Sequence, residues 1–438
     1  MSRPADGDKR TRTIRVDALS RVEGEGSLFV RVRRGVVEEL NFRIFEPPRY
    51  FEALLRGRPY TAVPDLVSRI CGICPFAYIF GASAALEAAF GAAPDEGIDR
   101  LRRLAYCGEW VQSHALHTHL LHAPDYLGSS DALGLEAPNH NLLDRAIMLK
   151  RAGNAIVETV GGRAVHPVNT RVGGFYRAPD RVAMDSLAAT LEPALAEAIE
   201  SVRFFAKLPH PDFEDDYVFV ALHQPGEYPM QRGRVVSSLG LDIPVERYEE
   251  FFAETQVPHS TALQGVMRGL DRPYILGPLA RYALNAAQLS PLVRELAAEA
   301  GLGPVVRNPH RSIVIRSLET VYALEEALRL ARAYEPLERA SVALTPRAGR
   351  GCAATEAPRG LCFHRYETDD QGRIAGANIM PPTSQNQPQI ERDLRRTVEA
   401  GLALDDDALR ESCERAIRNY DPCISCATHF LRLEIVRD

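Results

Sequence analysis

Two short stretches carry residues that could do chemistry. "RICGIC", residues 69–74, holds Cys71 and Cys74, and "DPCISCATH", residues 421–429, repeats the spacing with Cys423 and Cys426. One C-x-x-C can be a redox pair or half of a metal site. Two copies supply four thiolates, enough for a tetrahedral or near-tetrahedral soft-metal site, for which structural zinc is the default. Zinc modules, however, keep their pairs close together to staple a small fold, whereas these pairs stand at opposite ends of a 438-residue chain. A chain of that size needs no staple, so the set is expected to perform chemistry. Thiolates suit nickel, iron, copper and zinc, and spacing does not choose among them. Arg69 and Asp421 each precede the first cysteine of a pair by two positions and are expected to serve it as charged partners of opposite sign.

A site that uses both pairs must fold the two ends of the chain together, so residues 1–438 are read as one domain. Residues 1–12 are expected to be flexible. Residues 13–45 alternate apolar and polar side chains between glycines, the pattern of a small antiparallel meander. Apolar residues at three- and four-residue steps predict helices over 64–90, 97–120, 139–160, 180–208, 276–300, 309–334, 389–401 and 406–420. Strand-rich patches are expected over 216–237 and 339–380, the latter interrupted by Gly and Pro. The predicted fold is α+β and mainly helical, a central helix bundle with small N-terminal and C-terminal β-sheet patches.

Composition narrows the function. Hydrophobic residues make up 45% and charged ones 25%, which is the balance of a soluble globular protein, and no apolar run is long enough to span a bilayer. The polar, basic start "MSRPADGDKRTRTIRV" lacks an apolar signal region, so the chain is read as cytoplasmic. A formal charge of -6 speaks against a nucleic-acid partner. Eight cysteines in such a chain are read as reduced thiols. Of these, Cys107, Cys352, Cys362 and Cys413 are read as buried small hydrophobes, and Trp110 as core. His114, His117, His119 and His122 suggest a metal cluster, but at helical spacing they face different directions and are read as packing or capping residues.

The two cysteine motifs, R-x-C-G-x-C and D-P-C-x-x-C-x-x-H, closely resemble those of the large, catalytic subunit of nickel–iron hydrogenases. Further blocks follow in order: "RVEGEG", "RYFEALLRGR", "HTHLLHAPDYL", "HPVNTRVGG", "TEAPRG" and "IMPPTSQN". The wording is most similar to the cytoplasmic, bidirectional, NAD(P)-linked hydrogenases of the sulfhydrogenase type. The resemblance implies that Cys71 and Cys423 are terminal ligands of nickel. Cys74 and Cys426 would bridge it to an iron carrying carbon monoxide and cyanide.

Heterolytic splitting of H2 calls for a base beside the metal. By the same resemblance that base is the Cys423 thiolate or Arg359, and Glu23 relays the proton outward, with Glu25 as its rival because it would share a strand face. Arg359 resembles the arginine held over the open metal face, Asp125 and Asp421 the carboxylates that hold it, and Thr383 a hydroxyl offered to a cyanide. Glu52 and His429 resemble ligands of a buried magnesium.

The resemblance also implies a C-terminal extension removed by a maturation protease after His429 or after Arg432, leaving 430–438 or 433–438 as the excised piece. The sequence has no further cysteine set for an iron–sulfur cluster and no dinucleotide fingerprint. An iron–sulfur small subunit is therefore expected as partner, with a flavin- and NAD(P)-binding diaphorase subunit beyond it. A deazaflavin-linked hydrogenase, a hydrogen sensor and a structural zinc protein stand as alternatives. A respiratory complex I homologue is disfavoured, because those chains have lost the thiols retained here.

Overall fold

The helix predicted over 64–90 is interrupted at the first cysteine pair in the computed structural model, which describes residues 11–134 and 141–428. Pro75 disfavours the helical region at the residue before it, and Cys74 takes φ −124°, ψ 51°. The chain therefore forms α1 (Phe51–Leu55), α2 (Val63–Val67) and a 3-10 turn over Ser68–Ile70. It then opens at the cysteines and restarts as α3 (Pro75–Phe90). Pro75 occupies the first helical position, where a missing N–H costs nothing.

Next come α4 (Glu96–Ala115), a π-helical stretch over Leu116–His122 and α5 (Pro124–Leu127). The chain continues through α6 (Asn141–Gly161), α7 (Arg181–Ala206), α8 (Tyr248–Phe251), α9 (Pro278–Asn285), α10 (Pro291–Glu299) and α11 (Ser312–Arg332). It ends in α12 (Pro382–Ala400), α13 (Asp406–Arg418) and α14 (Ile424–Ala427). Helices α4, α6, α7 and α11 pack together as the central bundle. Asp95, Asp180 and Asp405 start α4, α7 and α13 by accepting a backbone N–H three residues on.

Two further helix expectations are corrected. The helix over 276–300 is two, because Pro291 with its Ser290 cap starts a new one. The helix over 389–401 begins seven residues earlier, at Pro382, and carries Pro388 inside it. Its first turns are held by tertiary bonds instead: Asn386 Oδ1 accepts Leu276 N–H, and Gln385 donates to the Leu361 carbonyl.

Strands β1 (Thr11–Val16), β2 (Gly26–Arg33) and β3 (Val36–Ile44) form the predicted antiparallel meander. Thr11 and Arg12 pair with Arg33 and Val32, so the expected flexible segment does not include them. A two-residue hairpin joins β4 (Thr170–Arg171) to β5 (Gly174–Phe175). The patch over 216–237 gives β6 (Val220–His223) and β7 (Arg234–Ser237) and extends to β8 (Asp242–Ile243). Beyond it, β9 (Phe252–Thr255) and β10 (Gln264–Met267) form a second small sheet that the sequence reading missed. The patch over 339–380 is β11 (Gly349–Ala357), β12 (Gly360–Thr368) and β13 (Ile374–Met380), a meander against which α3 packs. Trp110 is buried in the main apolar core, with Leu149, Ile156, Leu191 and Ile315. No helix of the described residues is long and apolar enough to cross a membrane.

Candidate metal centre

The four cysteines at the two ends of the chain meet. Their sulfurs all lie within 4.8 Å of one another and all four residues are buried. Cys71 Sγ is 3.6 Å from Cys423 Sγ, Cys74 Sγ is 3.8 Å from Cys426 Sγ, and the two sulfurs of the second pair are 2.7 Å apart. The pairs thus face each other residue for residue.

Local structure holds the first loop. Cys71 Sγ receives the N–H groups of Ile73 (3.3 Å) and Cys74 (3.2 Å). Behind it, the buried Glu109 of α4 accepts the Phe76 and Ala77 N–H groups at 2.5 and 3.1 Å, satisfying donors that the start of α3 leaves open. The second loop, between α13 and α14, is held from far along the chain. Thr383 Oγ1 accepts the Cys423 N–H (3.1 Å), and the Glu23 carbonyl accepts the Ile424 N–H (2.9 Å).

Glu23 Oε2 lies 3.1 Å from Cys423 Sγ and also accepts the Ser425 N–H at 3.0 Å. Its rival Glu25 is exposed, because Gly24 between them takes φ +88° and turns the chain, so the two do not share a face. One guanidinium ties the loops together: Arg49 donates to the Ile70 carbonyl (2.7 Å) and to the Ser425 carbonyl. Arg69, expected to serve the first pair, instead points to solvent and pairs with Asp65 at 3.1 Å across one helical turn.

Arg359 is the second residue of the two-residue turn between β11 and β12. Pro358 supplies the fixed φ at the preceding position and Gly360 the positive φ (+130°) after it. Its Nε donates to the Asp421 carbonyl (2.7 Å) and its Nη2 to Asp421 Oδ1 (3.1 Å). Burial works against the charge of Arg359, but Asp421 and the sulfurs of Cys423, Cys74 and Cys71 outweigh it and hold the group protonated. Burial pushes the Asp421 carboxyl up, against the pull of Arg359 and Arg316.

Asp125 does not hold Arg359. Its oxygens bind Arg418 (2.7 and 2.8 Å) and Arg21 (2.6 Å), because it sits past the π-helical turn, facing the end of α13. The turn is supported instead by buried Arg281, which donates to the Ala357 and Pro358 carbonyls (2.8 and 2.9 Å) and to Glu319 and Glu356. Three of the four histidines take hydrogen-bond partners in the fold: His114 meets Glu319, His117 the Arg418 carbonyl and His119 the Ser201 hydroxyl. His122 packs its ring against His117 and Tyr126, and neither of its ring nitrogens has a hydrogen-bond partner. Glu52 Oε1 accepts the Ile379 N–H at 2.7 Å, while His429 and the segment after it lie outside the described residues.

Four buried thiols converging without a disulfide are a soft donor set. One buried nitrogen beside them, Arg359 Nη1, has no protein partner. Both features fit a resident metal group that takes sulfur on one side and a hydrogen-bond donor on the other. Fold and site together define a thiolate-bound metalloenzyme. Residues 49–145 and 271–429 match the family model described as nickel-dependent hydrogenase, and the chain belongs to that family, as a catalytic large subunit.

The chain is 33% identical to sulfhydrogenase 1 subunit alpha of Pyrococcus furiosus, over 96% of this chain and 98% of that one. It is 26% identical to the NAD-reducing hydrogenase HoxS subunit beta of Cupriavidus necator, over 96% and 95%. Among solved structures it is similar to an NAD+-reducing [NiFe]-hydrogenase in the H2-reduced state. The TM-score is 0.86 at 28% identity, covering 95% of this chain and 99% of the other.

Sequence reasoning missed Arg49, Glu109 and Arg281. Arg49 stood in view inside "RYFEALLRGR". Glu109 could have been found as a carboxylate among the apolar positions of a helix, where an ionisable side chain needs a buried partner.

Proposed function

We propose that Cys423 and Glu23 carry the proton of H2 away from the metal centre, with Arg359 shaping the site. Cys71, Cys74, Cys423 and Cys426 would hold nickel and iron. When bound, that centre supplies Lewis-acid activation of H2 and accepts its electron pair. The observation that carries the reading is the 3.1 Å contact between Cys423 Sγ and Glu23 Oε2, within reach for proton transfer. Cys423 takes the proton at Sγ, and Glu23 receives it at Oε2.

Arg359 stays protonated and is fixed by Asp421 at two points, so its free Nη1 is aimed as a donor and is a poor base. That nitrogen is suited to a cyanide ligand of iron. The Thr383 hydroxyl, whose oxygen already accepts the Cys423 N–H, would serve a second cyanide. Glu52 with His429 is the proposed magnesium pair near the C-terminus.

Electrons leave to a separate iron–sulfur small subunit, since among the described residues the four-cysteine group is the one metal-capable cluster. A diaphorase subunit is the proposed route onward to NAD(P). The NAD-reducing relatives favour this over a deazaflavin acceptor. A maturation protease is proposed to act after His429 or Arg432.

Infrared spectra and nickel quantification of the purified complex test the centre. Metal-bound carbonyl and cyanide bands with nickel present are expected, and an active preparation lacking both would refute the reading. Glu23→Gln should retain the metals and block exchange between D2 and solvent protons; wild-type exchange would remove Glu23 from the path.

A further inference from the structure

The π-helical turn over Leu116–His122 brings together two histidines that ordinary helical spacing would turn apart. Its bonding runs five residues, as where the Ala123 N–H donates to the Thr118 carbonyl at 3.0 Å, so residues five apart share a face. The rings of His117 and His122 consequently meet with centroids 5.0 Å apart.

These two begin a closed ring of contacts. His122 packs on Tyr126 (5.2 Å between ring centroids), whose hydroxyl donates to the His310 carbonyl at 3.0 Å. His310 Nδ1 accepts from Asn419 Nδ2 (3.2 Å), and the Asn419 carbonyl accepts from Arg316 Nη1 (2.9 Å). The Arg418 carbonyl, one residue earlier, lies 2.8 Å from His117 Nε2 and closes the ring. Five buried atoms on four of these residues have no protein partner: His117 Nδ1, both nitrogens of His122, Arg316 Nε and Asn419 Oδ1. Each of the four residues is at most 2% exposed.

Native folds leave few buried polar groups unpaired, so five on one ring mark a bound group, and their chemistry selects it. A carbonyl cannot donate, so His117 Nε2 carries the proton and Nδ1 of the neutral ring is an acceptor. Asn419 Oδ1 is a second acceptor, Arg316 Nε a donor, and neutral His122 offers one of each. Burial first, and the Arg316 charge next, push both imidazoles down and keep them neutral. Burial pushes Arg316 down to about 10, which leaves it a cation at neutral pH. An anion would face two bare acceptors. A metal cation would face Arg316 and find neither carboxylate nor thiolate in the ring.

We infer that the ring holds a small internal water cluster, which ties the π-helical turn to the end of α13. Water both donates and accepts, and at roughly three hydrogen bonds per buried molecule the five groups suit about two. The tie falls at Arg418 and Asn419, just before Asp421, whose carbonyl and carboxylate hold Arg359.

Crystals of the assembled enzyme, grown with and without bromide, test this at high resolution. Density refining as water within hydrogen-bond distance of His122 and Asn419 Oδ1 is expected. An anomalous peak from bromide or a metal in the ring, or a ring without density, overturns the inference. His122→Leu removes two of the five groups and should expel the water. Backbone amides of 418–421 should then exchange with solvent on the order of 10-fold faster, the effect of leaving one buried polar group unsatisfied, with amides of the first cysteine loop unchanged. His122→Asn, which keeps a donor and an acceptor, should retain both the water and the slow exchange. Unchanged exchange in a His122→Leu enzyme that has lost the water overturns the tie, and the wild-type density decides the site even where that variant fails to assemble.

Discussion

The two cysteine loops carry the same C-x-x-C spacing and reach the same point by opposite means. The first is organised by its neighbours in sequence: a 3-10 turn before it, Pro75 and α3 after it, and backbone N–H groups aimed at Cys71. Glu109 is its main distant support. The second sits in a four-residue helix that could not stand alone. It is assembled from Glu23, Arg49, Arg359 and Thr383, residues drawn from nearly the full length of the chain. The difference teaches that one half of the donor set is pre-shaped when α3 forms, while the other half is shaped only when the whole fold closes.

The largest break falls on the sulfur shared by the proposed donor set and the proposed proton path. Cys423→Ala is expected to abolish H2 uptake, because it removes a proposed metal ligand and the atom 3.1 Å from Glu23 at once. Nickel analysis and an H2-uptake assay check it, and residual uptake near the wild-type rate would separate Cys423 from the chemistry. The corresponding loss in the first loop, Cys71→Ala, leaves the Cys423–Glu23 contact intact. It should therefore reduce metal content without disturbing that local geometry.

Next in size is the frame behind the second loop. Arg281 is fully buried between Glu319 and Glu356 and holds the turn that presents Arg359. Arg281→Met strands two carboxylates in the core, and a loss of about 3–5 kcal/mol of stability is expected. Acid denaturation sharpens this. Burial would raise Glu319, but the ion pair and hydrogen bonds from Arg281 and the contact with His114 hold it down at about 2. A carboxylate held below its unfolded pKa contributes stability that is complete above the unfolded pKa, about 4.3 for glutamate, and lost as pH falls through the folded value. Wild-type melting temperature should therefore fall between pH of about 4 and 2, and Arg281→Met should flatten that limb.

What could be read from the chain follows the same division. The first loop was legible because Cys71, Cys74 and Pro75 lie within five residues of chain and local rules govern them. Even so, an apolar period that runs on through the cysteines made the helix look continuous. The bundle and the meanders at both ends were legible because their periodic stretches are long. Strands β8, β9 and β10 are two to four residues each, too short for alternation to register.

The supports of the second loop were legible only where they resembled known motifs. Glu23 and Glu25 are equivalent by alternation, and it is the turn at Gly24 that separates them. Asp125 was assigned to the wrong arginine because sequence order does not say which of several buried guanidiniums a carboxylate meets. Arg281 and Glu109 look like ordinary helix residues until partners from remote segments close around them.

A smaller effect is expected where the first loop has its distant support. Glu109→Gln keeps the shape but offers one acceptor oxygen in place of two, leaving either the Phe76 or the Ala77 N–H unsatisfied in a buried site. The expected cost is about 1–3 kcal/mol, confined to the start of α3. Hydrogen exchange of those two amides should rise, with amides of the second loop unchanged. Equal acceleration in both loops would mean that the first is not independently organised.

The smallest effects distinguish two arginines that lie near the same cysteines. Arg49→Ala removes the donor shared by the Ile70 and Ser425 carbonyls and should lower metal retention on mild chelation, because both loops lose a common tie. Arg69→Ala should leave stability within about 0.5 kcal/mol of wild type and metal content unchanged. Its guanidinium and the Asp65 carboxylate are 47% and 61% exposed, so solvent screens the pair and two flexible side chains must be ordered to make it. If Arg69→Ala lost nickel while Arg49→Ala kept it, charge adjacent in sequence would outweigh the hydrogen bonds seen in space, and the contrast between a local first loop and a tied second loop would fail.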